Sequence, residues 1–252
     1  MGIAAFLMDL IVSSLSDLKW NATEGVSRDD GLPGVGWIVI TLFSLLFVGA
    51  AATLTVFVAP AAVGSGVAEA MGMMNGISYP DYICLKALLV KLLGVSLAVA
   101  GGLCGGKEGP LVHIGAIVGY ASAYLPIGFT QYFRNDFEKR KLMAVGMAAG
   151  VSAAFGAPIG GSLFAYEISK PNTFWSFSLT WKVFFASTIS TFTLSVFKQL
   201  YEGVSPILVS NSDIIKLGSQ SITPPTLDSV FASVMLGFFG GLMGATFILV
   251  NN

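Results

Sequence analysis

From Gly31 to Ala68 the chain carries no charged side chain. Gly109 to Phe133, Leu142 to Tyr166 and Ser229 to Asn252 are also uncharged, and Ala87 to Gly106 holds a single charge, Lys91. Roughly 20 apolar residues suffice for a helix to cross the hydrocarbon core of a bilayer. Inside that core each backbone polar group must find its partner within the segment or in a closed barrel. The short alternating strands of a barrel are missing from the pattern. The sequence therefore predicts an all-α polytopic membrane protein, with the lipid bilayer as its solvent. Charged residues make up only 11% of the 252, against about 25% in a typical soluble domain.

A net charge of −1 argues against nucleic acid as a partner. No nucleophile and base stand together, and no His, Cys and carboxylate spacing suggests a metal. The expectation is therefore not an enzyme, with no cofactor and no metal site. Cys84 and Cys104 lie in or beside apolar segments and read as small buried residues. The opening MGIAAFLMDLIVSSLSDLKW lacks a basic start, and Asp9 interrupts its apolar run. It reads as a first membrane helix over 2–18, not as a signal peptide.

Further along, the pattern predicts a polar loop over 21–36, with a sequon at Asn21. Helices are expected at 37–59, ended by Pro60, then at 67–75, 82–103 and 108–124. The segment 133–142, FRNDFEKRKL, reads as a solvated, basic connector that leans cytosolic. Two short helices, 142–155 and 159–167, flank Gly156-Ala157-Pro158, and another runs over 175–198. A polar, turn-rich stretch with Pro206, Pro224 and Pro225 precedes a last helix over 229–250. Glycines recur four apart at 101/105, 102/106, 115/119, 146/150, 156/160 and 237/241, the spacing that lets helix backbones approach closely in lipid.

Three of the predicted helices are interrupted where a bilayer tolerates no loose backbone unless protein or a water path covers it. The breaks are Gly64-Ser65-Gly66, Gly105 to Pro110, and Gly156-Ala157-Pro158. A half-helix starting at such a depth presents free N–H groups and the positive end of its dipole, which attracts anions. At the first break Ser65 offers a hydroxyl between two glycines, or simply caps the next helix. At the second, Glu108 opens a helix. One reading is a first-turn glutamate with Lys107 as its solvated partner. The other is a gate: a carboxylate that occupies an anion site and frees it on protonation.

Gly64-Ser65-Gly66, Gly106-Lys107-Glu108-Gly109-Pro110 and the run AAGVSAAFGAPIGGSLFAYE (148–167) resemble, in order and spacing, the CLC family of voltage-gated chloride channels and proton-coupled chloride exchangers. YFRNDFEKR (132–140) and FWSFSLTWKVFFASTISTFTL (174–194) are similar to its eukaryotic, late-endosomal and lysosomal members. The resemblance implies a fold with broken and re-entrant helices. Residues 1–252 would be a partial transmembrane domain, the first inverted repeat plus the start of the second, without the second repeat or the cytosolic nucleotide-binding pair. It implies that Ser65 coordinates a central chloride within the turn of Gly64 and Gly66. Gly109 and Pro110 would line the anion site at the helix start, and Glu108, preceded by Lys107, would gate it. Serine rather than proline at 65 implies chloride over nitrate. The family usually reads GSGIPE where this chain reads GSGVAE, so Val67 and Ala68 loosen the turn while Ser65 and Glu69 remain.

Exchangers of the family generally carry two consecutive glutamates where this chain has Glu167-Ile168, the second passing protons. Ile168 therefore leans the expectation toward a voltage-gated chloride channel, with a proton-coupled exchanger or a truncated non-conducting subunit as alternatives. The resemblance also implies an endosomal, lysosomal or vacuolar membrane over the plasma membrane, and a homodimer if full length. Of the remaining polar residues, His113 falls off the face of Glu108 and reads as a hydrogen-bonded core histidine. Lys91 snorkels or pairs with a buried partner.

Overall fold

The computed structural model describes residues 1–29, 33–125, 130–169, 175–203 and 227–251. These form helices and turns, with no strand among the described residues. The chain divides into two units, Met1–Ile215 and Lys216–Asn252. The first holds α1 (Gly2–Asp29), α2 (Pro33–Thr53), α3 (Val67–Met74), α4 (Leu85–Gly101), α5 (Glu108–Ser122), α6 (Asp136–Phe155), α7 (Pro158–Ser169) and α8 (Phe177–Tyr201). The second is the single helix α9 (Leu227–Asn251). Among the described residues, Val35–Val58, Phe177–Tyr201 and Ser229–Asn251 are long and apolar enough to cross a membrane. The Pro206, Pro224 and Pro225 stretch lies outside the described residues.

The core of the first unit forms where α5 crosses α6. A Cβ on Gly146 would overlap the Gly115 carbonyl, and one on Gly150 the Leu111 carbonyl, so only glycine lets the two backbones meet. The four-residue spacing at 115/119 and 146/150 does here what lipid packing requires. Elsewhere it does not: Gly105 faces open space. Met143, Met147, Ala148 and Val151 of α6 continue this core toward Ala165 and Ile168 of α7 and Leu179 and Val183 of α8.

Several boundaries move relative to the sequence expectation. The helix expected over 2–18 runs on to Asp29, through the segment read as a polar loop. Asn21 of the sequon therefore lies on a helix. The spanning helix that ends at Pro60 finishes as a widened turn over Leu54–Val58 and a single tight turn over Pro60–Ala62. Most of the charged connector is helix as well. Asn135 caps α6 by accepting from the Phe137 N–H at 3.2 Å, and Lys141 pairs with Glu138 at 2.7 Å. Cys84 is only half-buried and caps α4, its sulfur accepting from the Ala87 N–H at 3.2 Å, while Cys104 is exposed. Neither is the buried filler that its apolar neighbourhood suggests.

Candidate functional site

The turn at Ser65 needs glycine on both sides. Gly64 has φ 70° and Gly66 has φ 80°, both in the left-handed region that side-chain-bearing residues avoid. A Cβ on Gly66 would also come within 2.6 Å of His113 Nδ1. The turn is held by donors on its carbonyls. Lys91, 1% exposed on α4, donates to Ala62 O at 2.9 Å and to Gly64 O at 2.7 Å. The Tyr82 hydroxyl donates to Gly66 O at 2.6 Å. His113 stacks on the Tyr82 ring, with centroids 3.9 Å apart, and its Nε2 lies 3.0 Å from Tyr82 O. The expectation of a hydrogen-bonded core histidine holds, and Lys91 finds its buried partner in the backbone. Carbonyl oxygens repel anions. Here three of them are engaged by donors, one of which brings a cationic group.

The start of α5 comes directly against this turn. A Cβ on Gly109 would lie 2.7 Å from the Ser65 Cβ. The first-turn N–H groups of a helix have no partner within it, so those of Glu108 and Gly109 remain available beside Ser65. Pro110 has no N–H to offer, so it shapes the helix start and binds nothing through its amide. Ser65 Oγ accepts from the Val67 N–H at 3.3 Å, which leaves its own proton for a ligand. The Glu108 carboxylate folds back over Gly106, where any Cβ would overlap it.

Ser65, Gly64, Lys91, Gly105, Gly106 and Pro110 line one open cavity of about 430 Å³, whose remaining wall is mostly small and branched residues of α2 and α4. The cavity wall is largely apolar, and its polar groups gather at the turn and the α5 start. Among the described residues, no group of three or more His, Cys, Asp or Glu side chains is placed to hold a metal ion.

Lys107 does not serve as the partner of Glu108. It pairs with Asp9 of α1, whose other carboxylate oxygen takes Lys198 of α8 at 2.9 Å. Glu167 is exposed, whereas Ile168 is 7% exposed and packs into the core. The two residues expected at the proton-path position thus face opposite ways on α7. The sequence reading missed Asp9, Lys198 and Tyr82 as parts of the site's support. For Lys91 the signal was present: it is the single charge in a 20-residue apolar run, and a lone charge at such depth asks for a reason.

Residues 45–252 match the family described as voltage gated chloride channel. The "H(+)/Cl(-) exchange transporter 7" of Homo sapiens is 36% identical over 99% of this chain and 32% of its own length. "Chloride channel protein D" of Dictyostelium discoideum is 34% identical over 99% of this chain and 25% of its own. The chain thus spans about a third or less of these curated relatives. A eukaryotic CLC transporter structure superposes with TM-score 0.67 at 26% identity, covering 78% of this chain and 36% of the other. A slow cyanobacterial Cl−/H+ antiporter has the same fold, with TM-score 0.71 over 98% of this chain and 52% of its own. With these matches, the chain belongs to the voltage gated chloride channel family and has a partial CLC fold.

Proposed function

We propose that this chain carries the gate-bearing part of a chloride pathway, and that the full-length product exchanges chloride for protons. The observation behind this reading is convergence on one cavity. Ser65, Lys91 and Pro110 of the first α5 turn line it, and the Glu108 carboxylate folds back over Gly106 of its wall. Chloride sits between the Ser65 hydroxyl and the Gly109 amide in the turn shaped by Gly64, Gly66 and Pro110. Glu108 competes for the same ground when ionised and withdraws when protonated. No cofactor and no catalytic residue takes part.

The exchange half of the proposal rests on the similarity to a relative named as an exchange transporter across almost the whole chain. That similarity outweighs the lean toward a channel read from Ile168. The channel reading keeps one specific support: Ile168 is apolar and buried, so no carboxylate stands at that face of α7. In the exchanger reading the inner proton acceptor is another group, with Glu167 the first to test. The resemblance of residues 132–140 and 174–194 to late-endosomal and lysosomal members supports an endosomal, lysosomal or vacuolar membrane, and the full-length product acts as a homodimer.

The test is a recording of reversal potential from the full-length product under a chloride gradient, with and without a pH gradient. Exchange predicts a potential that moves with pH. A Nernstian chloride potential indifferent to pH overturns exchange and establishes a channel.

A further inference from the structure

Asp9 stands where three helices meet. Its two carboxylate oxygens serve two lysines from distant parts of the chain, Lys107 at the start of α5 and Lys198 near the end of α8. The α1–α8 contact that brings Lys198 there is dense. Phe6 packs on Phe197 at 5.6 Å and on Tyr201 at 6.1 Å, and a Cβ on Gly2 would lie 2.8 Å from the Thr193 Cβ. The same α1 also reaches the other end of the α4–α5 break, where Lys19 donates to Ala100 O at 2.6 Å. Helix α1 therefore grips both sides of the segment that leads into Glu108.

Two cations on one carboxylate share its charge, so each holds less firmly than it would alone. Lys107 is the residue immediately before Glu108, and its tether sets how freely the α5 start moves. Lys198 is not among the residues that line the cavity. Its one ion pair among the described residues is with Asp9.

We propose that Lys198 is a positioning residue for the gate: by sharing Asp9 with Lys107, it loosens the hold on the start of α5 and so sets the rate at which Glu108 leaves and re-enters the anion site. This rests on the chloride-transport reading above. It assigns to the end of α8 a part in transport that the cavity itself does not reveal.

The experiment uses the full-length product reconstituted in liposomes, with chloride flux measured per folded transporter against chloride concentration. Lys198→Met gives Asp9 wholly to Lys107. The expected result is a maximal flux lowered about two- to fivefold, the scale of a partly exposed ion pair, with half-saturating chloride unchanged. Lys198→Arg restores the flux. In an Asp9→Asn background, Lys198→Met has no further effect. A Lys198→Met protein that changes only in yield or melting temperature overturns the proposal, as does a flux change that persists without Asp9. If the parent protein carries no chloride at all, the transport reading falls and this proposal falls with it. A parent that transports while Lys198→Met matches it in flux sinks the proposal alone.

Discussion

Gly109 meets Ser65 so closely that an added Cβ would sit 2.7 Å from the serine's own. The two residues come from different helical segments, α5 and the turn before α3. Their contact is what places free helix N–H groups beside a hydroxyl. Gly109→Ala is expected to push α5 off the turn by a few tenths of an ångström or more. Chloride flux from the full-length product should fall roughly tenfold or more, since misplacement near 1 Å can cost about a hundredfold. Isotopic chloride uptake into liposomes measures this. Uptake equal to the parent's would show that the two elements need not touch.

Lys91 is the support beneath that contact. Lys91→Met fits the apolar surroundings of α4 but leaves the Ala62 and Gly64 carbonyls without their donor. The orphaned acceptor at buried Ala62 costs about 1–3 kcal/mol, and the exposed Gly64 carbonyl less. The variant should melt at lower temperature in detergent micelles, and it should bind chloride more weakly because a cation has left the site. Calorimetric titration with chloride would read the second effect. Unchanged affinity with lowered stability would confine Lys91 to a scaffold role.

At the α5–α6 crossing the prediction concerns folding alone. Gly146→Val drives a side chain into the Gly115 backbone, an overpacking expected to cost about 3 kcal/mol or more. Gly105→Ala is the control, because its Cβ would meet open space, and surface-like changes usually stay within about 0.5 kcal/mol. Thermal unfolding of both variants checks the pair. Equal melting would mean the helices separate at little cost.

How much of this was legible beforehand depended on how local the chemistry was. Gly64-Ser65-Gly66 and the start of α5 at Glu108 could be read because a glycine turn and a helix start are written in neighbouring residues. The length of α1 could not. Residues 21–29 look like a loop by polarity, and what keeps this end helical includes Lys19 reaching Ala100, 81 positions away. The partner of Lys107 was out of reach for the same reason: one reading paired it with adjacent Glu108, while Asp9 is 98 positions distant. The beginning of α6 is different, because its signal was present and went unused. Asn135 ahead of Asp136 and Glu138 is a capping residue before an acidic first turn, outweighed in the reading by the density of charge.

The central claim is that Glu108 shares its ground with chloride and couples that exchange to a proton. Simultaneous chloride and proton fluxes from the full-length product carrying Glu108→Gln test it most directly. The account predicts that proton movement disappears while chloride continues to flow, now indifferent to pH. Proton flux that stays locked to chloride as in the parent would contradict it.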